Sequence, residues 1–226
     1  GQQILEDISF TAKPGQIIGV TGPVACGKST LGKAFLCELP YGGSIRFGGQ
    51  ELRDMDEAQR TRVVGYLGHQ PELLSASIRD NILLGSPGEA APYLAAVCLS
   101  DEVAAMEDGE NTAVGSGGVR LSGGQQARLA LARTLCSRRP LMILDDPFSA
   151  VDMKTEGELL GNLRAMAGDS VILLLSHRLD RFAQLDGVIW MENGTAQAGT
   201  HAQIMERCPA YAALYREQRG ADGHGN

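Results

Sequence analysis

Gly22-Pro23-Val24-Ala25-Cys26-Gly27-Lys28-Ser29-Thr30 follows the short apolar run Gln16–Thr21 and opens a helical stretch that reads from Lys28 to about Leu39. It fits the pattern G-x-x-x-x-G-K-[ST], and its place between a strand and a helix gives the pattern meaning as a phosphate-binding loop. Backbone N–H groups of such a loop, and of the helix N-terminus behind it, point inward and favour an anionic phosphate. Lys28 adds a point charge at the β- and γ-phosphates, and the Ser29 hydroxyl is a magnesium ligand. Gly22, Val24, Ala25, Cys26, Gly27, Lys28, Ser29 and Thr30 are therefore candidate nucleotide-binding residues. Cys26 is expected to contribute its backbone amide, with an inert thiol. The bland alternative is a glycine turn with a chance lysine, and the flanking strand and helix argue against it.

Further along, Leu141-Met142-Ile143-Leu144-Asp145-Asp146 is an apolar run that ends in two acids. Leu141–Leu144 and Val171–Leu175 are uniformly apolar, which fits strands covered on both faces and hence a parallel sheet. The acids then fall at the C-terminal sheet edge, where open α/β folds bind ligands. Asp145 would hold magnesium, directly or through water, and Asp146 would face the water that attacks the γ-phosphate. Alone, the pair could equally cap the Asp-Pro turn that follows. A phosphate-binding loop in the same chain favours the functional reading.

Other segments are read more coarsely. Ile4–Phe10 alternates loosely and suits an edge strand, and Gly43–Leu52 reads as strands around a Gly48-Gly49 turn. Residues 77–137 are mostly helical in pattern, broken at Gly115–Gly118. Asn193-Gly194 marks a hairpin within Gly187–Gly199. The tail is helical from Cys208 to Gly220 and is expected to be disordered from Gly220 to Asn226.

The 226 residues suffice for one domain with a substantial core, and 43% hydrophobic with 21% charged is ordinary for a globular protein. A net charge of -7 argues against a basic nucleic-acid face. The five cysteines are odd in number and show no C-x-x-C spacing, which suits free thiols in a reducing compartment. Val171–Leu175 is far short of the ~20 apolar residues a membrane helix needs. A membrane role would have to come through a partner or through further chain.

Leu121-Ser122-Gly123-Gly124-Gln125 decides the class. Ser122 and Gln125 form a helix capping-box pattern, and the stretch also matches the signature of ABC ATPases. From Ile4 to His201 the chain resembles that family. Gln70 matches the Q-loop glutamine, Ser149-Ala150-Val151-Asp152 the D-loop, and Ser176-His177-Arg178 places His177 at the switch histidine. The resemblance implies an α/β fold: a P-loop NTPase, RecA-like core (1–76 and 136–207), an α-helical signature subdomain (77–135) and an antiparallel β portion near the N-terminus. A C-terminal helix and tail would occupy 208–226. It implies ATP and Mg2+ as cofactors, with Ser29, Gln70 and Asp145 around the metal. Lys28, Gln70, Asp146 and His177 would be catalytic in cis. Ser122, Gly124 and Gln125 would complete a site on a second, facing ABC ATPase domain in a head-to-tail ATP sandwich, with Asp152 at the same interface. The implied partners are that domain and a transmembrane domain, fused or separate, which would place this chain at the cytoplasmic face of a membrane. No nucleic-acid partner is implied.

Leu73–Ile82 looks like the segment after the Q-loop in exporters, and Thr112–Gly118 resembles an exporter loop in which Ser116 replaces a glutamate. Three departures stand out. Asp146 occupies the catalytic-glutamate position, and one methylene less withdraws the carboxylate by about 1.5 Å. A misplacement near 1 Å can cost roughly 100-fold in rate. This resembles the degenerate half of heterodimeric or two-halved exporters, so the natural partner would be a different half. The family's adenine-stacking aromatic has no match before Ile4 and is expected upstream, while Phe10 reads as core. Ala25 replaces a common loop glycine, tolerable where its backbone dihedrals are helical. Two alternatives stay open: a regulatory ATP-binding module that hardly turns over, and a mechanical ATPase with no transport role.

Overall fold

The apolar runs of the sequence become the centre of a six-stranded sheet in the computed structural model, which describes residues 5–115 and 118–222. In chain order the strands are β1 (Ile17–Thr21), β2 (Arg46–Phe47), β3 (Gln50–Glu51), β4 (Val64–Leu67), β5 (Leu141–Asp145), β6 (Val171–Leu175), β7 (Gly187–Glu192) and β8 (Thr195–Gly199). The helices are α1 (Lys28–Phe35), α2 (Glu57–Val63), α3 (Ile78–Leu83), α4 (Ala91–Ala96), α5 (Ser100–Ala104), α6 (Gly123–Cys136), α7 (Met153–Ala167), α8 (His201–Arg207) and α9 (Pro209–Asp222). The sheet order is β4-β5-β6-β1-β7-β8, with β2 and β3 forming a separate hairpin. Every pairing in the large sheet is parallel except β7 with β8, which the Asn193-Gly194 turn joins.

Burial on both faces explains the unbroken apolar runs. Along β5, Met142 and Leu144 enter one core cluster while Leu141 and Ile143 enter the other. β6 divides in the same way, Ile172 and Leu174 against Val171, Leu173 and Leu175. The two-residue period of a strand sends alternate side chains to opposite faces, and each fully buried aliphatic contributes about 1.5–3 kcal/mol. The first cluster continues into α3, α4 and α6, so the helical part shares a core with the sheet. The parallel order brings the C-terminal ends of β1, β5 and β6 side by side, with Asp145 in register with Leu175.

Several expectations need correction. Residues 5–10 form no strand, because Asp7 takes a left-handed φ of 49° and interrupts the extended run. Leu5, Ile8 and Phe10 pack on the second cluster instead, Phe10 lying 6.4 Å from the Phe35 ring. Among the described residues, the antiparallel part toward the N-terminus is only the two-residue strands β2 and β3, around Gly48 (φ 57°) and Gly49 (φ 84°). The first helix ends at Phe35 rather than Leu39, since Cys37 turns left-handed at φ 56°. Gly220–Asp222, expected to be disordered, continues α9. Ile4, Ser116, Gly117 and 223–226 lie outside the described residues. All five cysteines are free.

Candidate active site

A cleft of about 190 Å³ opens at the shared strand ends, lined by Lys28, Ser29, His69, Asp145, Asp146, Leu175, Ser176 and His177. One wall is the start of α1, Lys28 and Ser29, into which the loop from Gly22 to Gly27 leads. The loop is tight: a Cβ at Gly22 would lie 2.1 Å from the Met191 carbonyl oxygen, so only glycine fits there. Gly27 (φ 101°) is the N-cap of α1, which has no side-chain cap and no acid in its first turn. Ala25 has a φ of 64°, in the left-handed region, so the condition of ordinary helical dihedrals under which alanine is easily tolerated is not met. An L-residue there carries roughly 1–2 kcal/mol of strain.

Lys28 is 7% exposed, and its ammonium donates to the carbonyls of Gly22 (3.1 Å) and Pro23 (3.3 Å) and contacts the Cys26 sulfur at 3.6 Å. None of these partners neutralises its charge, which stays available to an anion. On the opposite wall Asp145 is also 7% exposed and accepts from the Tyr66 hydroxyl at 3.2 Å. Burial first, and then the charge of Asp145, pushes the Tyr66 phenol well above its usual range, so it remains a donor. The next residue, Asp146, is held by its backbone: its N–H donates to Leu175 O at 2.8 Å, and its φ is 54°. Its carboxylate accepts from Ser176 Oγ at 3.4 Å and lies 3.8 Å from His69 Nδ1. Burial, followed by the charge of Lys28, lowers the His177 pKa, although Asp146 and Asp145 pull the other way. The neutral imidazole therefore persists to lower pH than in a free histidine.

The cleft gathers Lys28, Ser29, Asp145, Asp146 and His177. It does not gather Gln70, which is exposed outside the lining. Ser122, Gly124 and Gln125 start α6 and are not in the lining either. There a full capping box forms: Ser122 Oγ accepts from Gln125 N at 3.2 Å, and Gln125 Oε1 accepts from Ser122 N at 2.8 Å. Gln125 Nε2 donates to Glu102 at 2.8 Å, and Arg128 pairs with the same carboxylate at 2.7 Å. Burial works to raise the Glu102 pKa, but those hydrogen bonds and the Arg128 charge outweigh it and the net shift is downward. Gly124 is needed because a Cβ would come within 2.7 Å of the Ala150 carbonyl oxygen, so the start of α6 rests on the turn before Asp152. Asp152 caps α7, accepting from Lys154 N (2.9 Å) and Thr155 N (3.0 Å). The Thr155 hydroxyl also donates to it (2.6 Å), and this bond first, with the two backbone bonds, lowers its pKa to about 2.

Sequence reasoning missed His69 and Tyr66. A single imidazole one residue before Gln70, and a tyrosine on a strand, carry no motif. Only the pairing of β4 with β5, Tyr66 against Ile143, places them beside the acids.

The residues fit ATP with Mg2+. The bare N-terminus of α1 and the unneutralised Lys28 suit phosphate. Ser29 and Asp145 offer hard oxygen donors, and among the described residues no group of three or more His, Cys, Asp or Glu forms a metal cage. Magnesium is commonly held by a few protein oxygens together with substrate phosphates.

Fold and cleft together define a P-loop nucleotide-binding domain. The profile of the ABC transporter family matches residues 5–149. The multidrug resistance-like ATP-binding protein MdlA of Escherichia coli is 34% identical over 222 residues, covering 95% of this chain and 38% of its own length. The ATP-dependent lipid A-core flippase of Burkholderia pseudomallei is 33% identical over 223 residues, 96% of this chain and 37% of its own. The structure of a bacterial Atm1-family ABC exporter with ATP bound superposes with a TM-score of 0.87 at 28% identity, over 95% of this chain and 39% of that one. The chain belongs to the ABC transporter family, whose ATPase domain binds ATP with Mg2+. It spans somewhat over a third of the length of these relatives. No helix among the described residues is long and apolar enough to cross a membrane.

Proposed function

We propose that this chain hydrolyses ATP to drive export of a substrate across a membrane, working at the cytoplasmic face with a transmembrane domain and a second ABC ATPase domain. The observation that carries this reading is the division of the site. Lys28 and Ser29 at the end of the phosphate loop, the acids and His177 share one cleft, whereas the Ser122–Gln125 helix start lies outside its lining. A cleft without its signature needs another domain to supply one. The exporter branch is supported by the relatives above and by the Leu73–Ile82 segment. There the buried Asn81 holds the chain with its carboxamide, bonding Leu74 N and O and Ser77 O.

In this reading the loop amides and Lys28 would bind the triphosphate, and Ser29 and Asp145 would hold the metal. Mg2+ would supply charge neutralisation to the phosphates. Asp146 orients the attacking water, Gln70 approaches once nucleotide is bound, and His177 contacts the γ-phosphate side. Water adds in line at the γ-phosphorus, the bond to the β-γ bridging oxygen breaks, and ADP and phosphate leave.

Asp146 makes this the slower of two sites, and the facing domain is a different half. The test is single-turnover hydrolysis by the reconstituted pair. Asp146→Glu should speed this site by up to about 100-fold, the scale of an ångström-level misplacement. The left-handed backbone at residue 146 tolerates Asp better than Glu, which trims the gain. Equal rates for Asp146 and its Glu variant would leave an ordinary active ATPase.

A further inference from the structure

We infer that Gln218, on the C-terminal helix α9, is a positioning residue for His177. Its carboxamide grips the main chain on both sides of Arg178. Gln218 Oε1 accepts from Leu179 N at 2.8 Å, and Gln218 Nε2 donates to His177 O at 2.9 Å. Only a side chain with a donor and an acceptor at one end can make this pair.

The two ends of the clamp are anchored differently. Leu179 is fully buried in the first core cluster, whereas His177 faces the cleft. α9 is fixed by Tyr211 (0% exposed) and Tyr215 (8%), which pack against Trp190 and His201. Arg178, between the clamped residues, reaches the other way. It donates to Phe148 O (3.2 Å) and Val151 O (2.9 Å) and pairs with Glu156 at 3.0 Å. The loop that carries His177 is thus held on one side by α9 and on the other by the turn leading to Asp152.

The bond to His177 O is solvent-exposed, so water can replace it when Gln218 is lost. The bond to Leu179 N is part-buried, so Gln218→Leu also lowers stability, whereas Gln218→Glu keeps that acceptor and spares it. What is lost is the fixed path of the main chain at His177, and reaction rates are sensitive to such placement.

This inference rests on the ATPase reading, and its test separates the two. The intact transporter is prepared as wild type, Gln218→Leu, Gln218→Glu, His177→Ala, the Gln218→Leu/His177→Ala double variant, and Arg216→Ala as an exposed control on the same helix. Single-turnover ATP hydrolysis at this chain's own site and amide hydrogen exchange across 176–180 are measured. Gln218→Leu should lower the single-turnover rate by about tenfold with ATP affinity within about twofold, and should speed exchange at 177–180. Gln218→Glu keeps the acceptor for Leu179 and should fall between. In the His177→Ala background Gln218→Leu should change that rate no further. Unchanged turnover, or an effect that persists without His177, overturns the proposal. If wild type does not hydrolyse ATP, the ATPase reading fails, and exchange decides the clamp: faster exchange supports it and unchanged exchange overturns it.

Discussion

The helices α1 and α6 start in opposite ways, although both follow glycine-containing stretches and neither has an acid in its first turn. α1 starts from Gly27, which offers no side chain to its free N–H groups. α6 starts from Ser122, whose hydroxyl and the Gln125 carboxamide satisfy two of those groups within the chain. A side-chain N-cap stabilises a helix by ~1 kcal/mol relative to Ala, but by only a few tenths relative to Gly. α1 forgoes one and leaves its end for a ligand to complete. α6 is finished before any ligand arrives and presents Ser122 and Gly123 to solvent as a preformed surface. In the proposed function one end receives phosphate within this chain, and the other is applied to the facing domain.

The hardest way to break this contrast is at Lys28. Lys28→Ala removes the one ammonium lining the cleft among the described residues. Charge-assisted hydrogen bonds contribute about 1.5–3 kcal/mol, so Mg-ATP affinity should fall roughly 10- to 100-fold. Isothermal calorimetry would show it. Unchanged affinity would mean that α1 and its loop do not bind the triphosphate.

At the other end the effect should be smaller and of another kind. Ser122→Ala opens the capping box and should cost about 1 kcal/mol of stability, read as a lower midpoint in urea. Nucleotide affinity of this chain's own cleft should stay within about twofold, since Ser122 is not in its lining. In the reconstituted pair the loss should appear at the partner's site. A loss of ATP binding by this chain alone would show that α6 completes its own cleft.

Much of this arrangement is legible in the sequence because it is local. The loop Gly22–Thr30, the run into Asp145 and the Ser122–Gln125 box each fit within a few residues, and backbone physics ties each to a strand end or helix start. Long-range placement is what the sequence hides. Tyr66 and His69 reach the acids only because β4 pairs with β5, and Gln218 reaches His177 O from 41 residues away. Backbone sign is hidden too. Asp7 and Cys37 sit in runs whose hydrophobic pattern continues, yet their left-handed φ values end the expected strand and helix.

Ala25 offers the finest test, because it lies in the loop that the contrast depends on. With φ at 64°, its Cβ crowds its own backbone, a strain of roughly 1–2 kcal/mol for an L-residue. Ala25→Gly removes that strain but gives the unfolded chain more freedom, an offset of about 0.5–1 kcal/mol. The net expectation is a gain of about 0.5 kcal/mol, or roughly 1–2 °C in Tm for a domain of this size. The more loosely held loop should keep its ATP affinity within about twofold, because the N–H groups that meet phosphate are unchanged. Thermal unfolding with and without Mg-ATP measures both quantities. If Ala25→Gly lowers Tm while ATP still protects, the left-handed turn is sustained by contacts of the Ala25 methyl group, and α1 has a side-chain support that the contrast with α6 denies it.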